Sequence, residues 1–181
     1  DISSAAFFMA LGLIMPSSRV TVRNVGVNPT RTGIIDVLKA MGADMKFENE
    51  CIVSGEPVAD ITVASSRLKG VTIGGDIIPR LIDEIPIIAA AAVFAEGETV
   101  IKDAHELRVK ETDRIAAIEN EFSKCGADIT ASDDGMIIHG GKPIHGADFK
   151  TYGDHRMAMS LSVLAQLADG DSSLDDGPCV S

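Results

Sequence analysis

The segment "LRVKETDRI", residues 107–115, concentrates side chains of the types that bind anions and transfer protons. Lys110 and Arg114 are four residues apart, so both would face one side of a helix that begins at Glu111 or Thr112. Arg binds a carboxylate or phosphate through two parallel hydrogen bonds, Lys adds a point charge, and a neighbouring carboxylate can move protons. The alternative is an ordinary capped helix start with solvated ion pairs, each worth only about a few tenths of a kcal/mol.

A second segment, "YGDHRMA", places Asp154, His155 and Arg156 in succession at the predicted start of an apolar helix. A cation there opposes the helix dipole, and an anion bound between Arg156 and the helix terminus would remove the conflict. Arg31 in "NPTRTG" is a less clear example of the same arrangement. Several helix starts that carry cations indicate an anion-binding centre. The simpler alternatives are an N-cap for Asp154 and a surface position for His155.

Aspartates open all three of the predicted apolar helices, at Asp1, Asp83 and Asp154. An aspartate in this position is typical of an N-cap, whose carboxylate accepts hydrogen bonds from the free N–H groups of the first turn. This role accounts for Asp1. Asp83 and Asp154 could have a second role besides capping, because the repeat in the next paragraph makes their helix starts equivalent positions.

The helices belong to units that the chain repeats. "MGADMKFENECIVSGEPVADITV" is similar to "CGADITASDDGMIIHGGKPIHGADF", and a third copy begins at "DHRMAMSLSVLAQLA", with a period of about 70–80 residues. Each unit is predicted to run helix, strand, helix, strand, strand. Apolar spacing and cap signals predict helices near residues 3–14, 31–41, 84–95, 112–124 and 155–167. Alternation and β-branched content predict strands near residues 19–25, 44–54, 59–63, 71–73, 98–103, 127–131, 136–139 and 148–151.

The first helix of each unit is apolar nearly all round, which favours burial on both sides, whereas the second is amphipathic. In the helix predicted near 112–124, the apolar stripe is Ile115, Ile118 and Phe122, and the side predicted to face water is Glu119, Glu121 and Lys124. The predicted fold class is therefore α/β, with three apolar helices buried centrally and with sheets and amphipathic helices outside. The simplest organisation is one domain over residues 1–181.

Composition excludes several classes of protein. A net charge of −11 argues against a nucleic-acid binder. The longest apolar run, "IPIIAAAAVFA", is too short to span a membrane, and "DISSAAFF" lacks the basic start of a signal peptide. The four histidines have no metal-ligand spacing, so no zinc site is expected.

Three widely spaced cysteines without a CxxC pattern indicate buried thiols in a reducing compartment, with Cys125 in a packing role. The chain starts at an apparent N-cap without an initiator Met and stops at "DGPCVS", so we expect it to be a piece of a longer protein.

Four segments, "NPTRTGIIDVLKAMGAD", "RVKETDR", "DDGMIIHG" and "YGDHRMAM", resemble in order and spacing the 5-enolpyruvylshikimate-3-phosphate synthases. The resemblance covers essentially the whole chain. It implies an inside-out α/β domain of repeated helix-strand-helix-strand-strand units with buried parallel helices. It also implies transfer of the enolpyruvyl group of phosphoenolpyruvate to the 5-hydroxyl of shikimate 3-phosphate, with release of phosphate and no metal or organic cofactor. A monomeric cytoplasmic enzyme of aromatic amino acid biosynthesis is expected, with no nucleic-acid or membrane partner.

The resemblance also assigns catalytic roles. Asp83 resembles the carboxylate that contacts the 5-hydroxyl and takes its proton. Glu111 resembles the acid and base that protonates the methylene carbon of phosphoenolpyruvate, and Lys110 resembles a lysine near both substrates.

Substrate binding is implied for the remaining residues of the two motifs. Arg114 and Arg156 resemble the arginines that grip phosphoenolpyruvate, and they would stabilise a tetrahedral intermediate that carries carboxylate and phosphate together. Asp154 and His155 complete the "DHR" unit, with His155 as an orienting neighbour. Arg108 and Asp113 are expected to form structural ion pairs.

The sequence departs from the family pattern in one place and covers only part of it. Glu106 stands where many relatives have an Asn that contacts shikimate, so that contact stays open. The resemblance places the chain as most of the domain formed by the C-terminal half. We expect the partner N-terminal domain, with its own phosphate-binding residues, to lie outside these 181 residues. We therefore expect the chain alone to have no useful activity and to bind phosphoenolpyruvate weakly at best.

Two other functions remain possible from the sequence. The related UDP-N-acetylglucosamine enolpyruvyl transferases share the chemistry, although "RVKETDR" is not their pattern. A non-catalytic repeat domain would instead disperse Lys110, Arg114 and Arg156 over its surface. Separations above about 15 Å, beyond direct or one-water contact, would exclude a shared site.

Overall fold

The structure is a computed structural model of the chain, and it describes residues 1–175. The five α-helices in this part of the chain are α1 (Ile2–Ile14), α2 (Gly33–Ala40), α3 (Ile85–Val93), α4 (Arg114–Lys124) and α5 (His155–Ala165). The strands are β1 (Arg19–Gly26), β2 (Asp44–Val53), β3 (Glu56–Ala64), β4 (Thr72–Ile73), β5 (Gly97–Ile101), β6 (Asp128–Ala131), β7 (Met136–Gly140), β8 (Asp148–Phe149) and β9 (Ser173–Leu174). All the predicted helices and strands are confirmed, with ends that differ by at most three residues. Strand β9 and three short 3-10 helices, at Gly75–Arg80, Ile82–Glu84 and His105–Val109, were not predicted.

The sheets confirm the internal repeat. In the first unit the strand order is β1-β3-β2, and in the second it is β5-β7-β6, so equivalent strands occupy equivalent places. The second sheet gains β4, which pairs parallel with β5 just before the unit begins. The parallel pair β8 and β9 repeats that arrangement at the start of the third unit. The fold class is α/β, as predicted.

Helix α3 lies at the centre of the molecule. All nine residues of its sequence "IPIIAAAAV" are buried, and it packs against both α1 and α5, which also contact each other. The alanines let neighbouring helices approach closely, because a methyl group leaves little side-chain volume between the backbones. Burial all round is confirmed only for α3, since Phe8 in α1 and His155 in α5 are exposed. None of the helices within residues 1–175 is long and apolar enough to cross a membrane.

The amphipathic helix α4 confirms one face of its predicted pattern and corrects the other. Ile115, Ile118 and Phe122 are fully buried, as expected. The prediction that Glu121 faces water is wrong, because its side chain is 1% exposed. The segment that leads into α5 covers this face of α4 and supplies donors to Glu121. Its carboxylate accepts hydrogen bonds from the hydroxyl of Tyr152 at 2.8 Å, the backbone N–H of residue 150 at 2.8 Å and the Lys124 ammonium at 2.6 Å.

The cysteines fit the predicted environment only in part. Cys125 is buried at the end of α4, and burial raises the pKa of its thiol, as a packing role requires. Cys51 is exposed, so its predicted burial is wrong. It lies where the β2–β3 hairpin extends beyond the core, beside the exposed Ile52 and Val53. Cys179 lies outside the described residues.

The close approach of α1 to the first sheet predicts an unusual effect of Gly12→Ala. Alanine normally stabilises a helix interior by up to about 1 kcal/mol relative to glycine. Here the added methyl group would lie 2.7 Å from Val63 Cγ2 and 2.9 Å from Val20 Cγ2. We expect a loss of about 1–3 kcal/mol in the free energy of unfolding, measured by denaturant titration, because branched neighbours cannot move aside easily.

Gly26→Ala is the matched control, since a methyl group at that position would meet no atom within 4 Å. The free energy of unfolding of Gly26→Ala should stay within about 0.5 kcal/mol of that of the unsubstituted chain, because the added methyl group meets no neighbour. Equal effects of the two substitutions would contradict this packing.

Candidate active site

The carboxylate of Asp83 is the meeting point of three cations from separate parts of the chain. Asp83 Oδ1 lies 3.5 Å from Lys110 Nζ and 3.4 Å from Arg114 Nη1. Asp83 Oδ2 lies 3.8 Å from Arg156 Nη2. All three cations therefore lie much closer to one another than the separation of about 15 Å that would exclude a shared site. The prediction of the non-catalytic alternative, that they are dispersed over the surface, is wrong.

The helix starts explain how these residues converge, and they correct one expectation. Asp1 and Asp154 are N-caps, and each side chain accepts hydrogen bonds from two N–H groups of its own first turn. Asp83 is not an N-cap. It lies in the 3-10 turn Ile82–Glu84, and the N-cap position of α3 is occupied by Glu84, whose side chain makes no capping bond. Pro86 reduces the need for a cap, because it removes one of the N–H groups that lack an intrahelical partner.

Arg114 and Asp154 form a buried ion pair between α4 and α5. Their side chains are 1% and 0% exposed. Arg114 donates from Nε to Asp154 Oδ2 at 2.8 Å and from Nη2 to Asp154 Oδ1 at 3.3 Å, so the contact is bidentate. Because Asp154 also caps α5, one carboxylate fixes both the helix start and the guanidinium. The alternative of a solvated ion pair for Arg114 is therefore wrong, because this pair is buried.

The start of α4 also differs from the expected one. The helix begins at Arg114 rather than at Glu111 or Thr112, because Asp113 is the N-cap and accepts a hydrogen bond from the N–H of residue 116 at 3.0 Å. Asp113 also accepts a hydrogen bond from Arg108 Nη1 at 2.8 Å, which confirms the structural ion pair predicted for these two residues.

Two acidic side chains at the mouth of the site pair with its cations. Glu111 is half exposed, and its Oε2 lies 2.6 Å from Arg114 Nη2. Glu106 lies 2.6 Å from Lys110 Nζ. The undecided residue Glu106 is thus a direct partner of a predicted catalytic lysine.

Within residues 1–175, neither His155 nor Arg31 forms an ion pair with the carboxylates of this cluster. The His155 side chain is exposed and makes no hydrogen bond or ion pair with the rest of residues 1–175. Arg31 lies at the edge of the site: its Nη2 is 3.5 Å from Ser3 Oγ, and it lines a cavity together with Asp83 and Glu84.

Glu84 belongs to the site although no motif in the sequence marks it. Glu84 is 2% exposed and accepts a hydrogen bond from Ser3 Oγ, and its Oε1 lies 3.8 Å from Arg156 Nη1. The only signal in the sequence is a second acidic residue after Asp83, set between apolar residues in "LIDEIP".

The charges of the cluster act on one another. Partial burial would raise the pKa of Asp83, but Arg156, Lys110 and Arg114 outweigh it and hold the pKa below its ordinary value. The hydrogen bond from Lys110 to Glu106 raises the pKa of the lysine, and Asp83 adds to this effect against the opposing influence of burial. Each cation faces at least one carboxylate. Lys110 and Arg114 also donate hydrogen bonds to carboxylates, so an anion that binds either of these two cations must displace one of those contacts.

Comparisons with known proteins agree with the resemblance in the sequence. The family model described as EPSP synthase (3-phosphoshikimate 1-carboxyvinyltransferase) matches residues 1–181. The 3-phosphoshikimate 1-carboxyvinyltransferase of Thermosynechococcus vestitus is 59% identical over 174 residues, which are 96% of this chain and 40% of that protein. That of a Thermoanaerobacter species is 56% identical over 181 residues, which are all of this chain and 43% of that protein. The chain thus spans about two fifths of the length of these relatives.

Solved structures show the same fold. An EPSP synthase structure from Acinetobacter baumannii superposes with a TM-score of 0.93 at 44% identity, over 97% of this chain and 41% of the other. The enolpyruvyl transferase NikO from Streptomyces tendae has a TM-score of 0.73 at 19% identity, over 97% and 38% of the two chains, and shares the fold.

The buried ion pair predicts a large effect of Arg114→Leu on stability. The substitution leaves Asp154 buried without its cation, so we expect a loss of about 3–5 kcal/mol in the free energy of unfolding at neutral pH. Arg67→Leu is the control, since it breaks an ion pair with Glu96 that is exposed on both sides and should cost less than about 1 kcal/mol. Denaturant titration of both variants measures the difference, and similar losses would contradict the account of Arg114.

The contact of Glu106 predicts a change in the titration of Lys110. Glu106→Gln removes the main cause of the raised pKa, so the pKa of Lys110 should fall towards its ordinary value of 10.5. Because the contact with Glu106 raises the pKa of Lys110 in the folded chain, it stabilises the fold below pH 10.5. This stabilisation is lost as the pH rises through the folded-state pKa of Lys110. NMR titration of the lysine side chains measures the pKa of Lys110, with Glu96→Gln as a distant control. An unchanged Lys110 pKa in Glu106→Gln would show that the contact is absent in solution.

Proposed function

The chain belongs to the EPSP synthase family, and we propose that within a longer protein it transfers the enolpyruvyl group of phosphoenolpyruvate to the 5-hydroxyl of shikimate 3-phosphate, releasing phosphate. The observation that carries this proposal is the convergence of Lys110, Arg114 and Arg156 on the single carboxylate of Asp83, in a chain that matches this family over all its residues. Both substrates carry phosphate, and one also carries a carboxylate. Cations can bind these phosphate and carboxylate groups, and a neighbouring carboxylate can accept the proton of the hydroxyl group.

The addition step needs a base for the hydroxyl and an acid for carbon. In our proposal the 5-hydroxyl oxygen bonds to C2 of phosphoenolpyruvate while Asp83 takes the hydroxyl proton. Glu111 gives a proton to the methylene carbon C3, which yields a tetrahedral intermediate. In the second step the bond from C2 to the phosphate oxygen breaks, C3 returns its proton to Glu111, and the double bond forms again. The departing phosphate takes the proton that Asp83 holds, so both carboxyl groups return to their starting states. Arg114, Arg156 and Lys110 would stabilise the carboxylate and phosphate of the intermediate.

The lowered pKa of Asp83 fits a base that is activated by its substrate. In the free chain the three cations favour its ionised form and make it a weak base. Anionic substrates bound to Lys110, Arg114 and Arg156 would compensate those cations. The pKa of Asp83 would then rise, and its carboxylate would become a better proton acceptor in the complex.

Glu111 is suitably placed to change partners. It is half exposed, and in the free chain it holds the Nη2 group of Arg114 at 2.6 Å. We propose that the anion of phosphoenolpyruvate takes this place on the guanidinium. The Glu111 carboxyl would then be free to reach the methylene carbon. Asp154 would keep Arg114 oriented throughout, because its contact is bidentate and buried.

In the same proposal, residues 1–181 form a single domain that is most of the C-terminal half of a monomeric, cytoplasmic enzyme. The relatives are more than twice as long as this chain. An N-terminal domain outside residues 1–181 would add cations to a site whose own cations already face carboxylates. Asp154 and His155 would belong to the substrate-binding side, with His155 available from its exposed position at the start of α5.

The test is phosphate release from phosphoenolpyruvate and shikimate 3-phosphate by the longer protein. Glu111→Ala should lower kcat by about 10²–10⁴, the usual contribution of a general acid or base. Glu98→Ala, which removes an exposed carboxylate on β5, should leave kcat unchanged. No release by the unsubstituted protein, or release only when UDP-N-acetylglucosamine replaces shikimate 3-phosphate, would contradict the proposed substrate. Turnover by the 181-residue chain alone would contradict the need for a second domain.

A further inference from the structure

Glu84 is a buried carboxylate that the proposed reaction leaves without a role. The residue is 2% exposed, and burial raises the pKa of its carboxyl. It stands at the N-cap of α3, yet its side chain caps nothing, unlike those of Asp1 and Asp154. A carboxylate removed from water without a close cation is unfavourable for folding. Its position therefore calls for an explanation other than stability.

The side chain of Glu84 connects the starts of the three central helices. Ser3, in the first turn of α1, donates from its Oγ to Glu84 Oε1. Arg156, in the first turn of α5, places its Nη1 at 3.8 Å from the same oxygen. Helices α1, α3 and α5 pack against one another, so this row of hydroxyl, carboxylate and guanidinium has a rigid frame.

Arg156 lies between two adjacent carboxylates without bonding closely to either. Its Nη1 is 3.8 Å from Glu84 and its Nη2 is 3.8 Å from Asp83. Both separations exceed hydrogen-bond length, so the attraction orients the guanidinium while leaving its N–H donors unused within residues 1–175. Arg114 is the opposite case, because its Nε and both Nη groups already face carboxylates.

We propose that Glu84 is a positioning residue for Arg156, and this rests on the proposed function. With Asp83 it holds the guanidinium plane from two sides, so that the N–H donors point to where the anion of phosphoenolpyruvate binds. Ser3 in turn fixes the Glu84 carboxylate. Asp83 alone would contact one Nη group and leave the plane of the guanidinium free to rotate.

Stability distinguishes the positioning role of Glu84 from a purely structural role. If the role were structural, Glu84→Gln would lower the unfolding temperature. The folded-state pKa is raised above its ordinary value of 4.5, so ionisation of Glu84 opposes folding. This cost is absent below pH 4.5 and is fully present above the folded-state pKa. Glu84→Gln keeps the shape and an oxygen that can accept the Ser3 hydrogen bond. Its unfolding temperature at pH 7 should therefore equal or exceed that of the unsubstituted chain.

Steady-state kinetics of the longer protein give the first test. In Glu84→Gln the KM for phosphoenolpyruvate should rise by about tenfold or more, the effect of weakening one charge-assisted contact, while the KM for shikimate 3-phosphate changes by less than about twofold. The control is Glu121→Gln, which alters an equally buried carboxylate on α4 that lies outside the site. It should lower the unfolding temperature and leave both KM values unchanged. A phosphoenolpyruvate KM within about twofold of the original in Glu84→Gln would overturn the proposal.

A second readout does not depend on the reaction. In the 181-residue chain labelled with 15N-arginine, the heteronuclear NOE of Arg156 Nε–H should fall in Glu84→Gln while that of Arg114 stays the same. An equally ordered Arg156, or an unfolding temperature that falls as far as in Glu121→Gln, would overturn the positioning role. If the longer protein transfers no enolpyruvyl group, the proposed function fails, and the role in ordering Arg156 is still decided by the NMR result.

Discussion

The buried ion pair between Arg114 and Asp154 is the interaction on which the geometry of the site depends. Asp154 caps α5 and receives two hydrogen bonds from Arg114, which is the first residue of α4. Neither side chain has an alternative partner in water, because both are almost fully buried. The two helix starts are therefore held at a fixed separation, and the remaining Nη1 of Arg114 is directed at Asp83.

The packing of the three central helices brings distant parts of the chain to this point. The alanines of α3 allow α1 and α5 to approach, and the first turns of all three helices meet around Glu84. Two carboxylates that follow each other in sequence, Asp83 and Glu84, then share Arg156. The site is compensated in charge within the chain. This pairing explains why the cations are stable without a ligand and why an anion that binds Lys110 or Arg114 must displace a carboxylate.

Local patterns were enough to predict the helices, the strands and the repeat, since periodicity depends on burial alone. They also selected the cations that meet at Asp83. Patterns could not assign partners to charges. Glu121 looked solvated because the segment that covers it is adjacent only in the folded chain, and Asp83 looked like a cap because a 3-10 turn of three residues leaves no periodic signal. Glu84 was missed for the same reason, since its contacts lie on two other helices.

We propose that the cluster around Asp83 is the anion-binding half of an enolpyruvyl transfer site. The most direct measurement is a crystal structure of the longer protein with phosphoenolpyruvate and shikimate 3-phosphate bound. We predict that phosphoenolpyruvate contacts both Arg114 and Arg156, and that Glu111 has left Arg114 Nη2 while Asp154 keeps its two hydrogen bonds. Phosphoenolpyruvate bound elsewhere, with every ion pair of Asp83 and Glu111 unchanged, would contradict it.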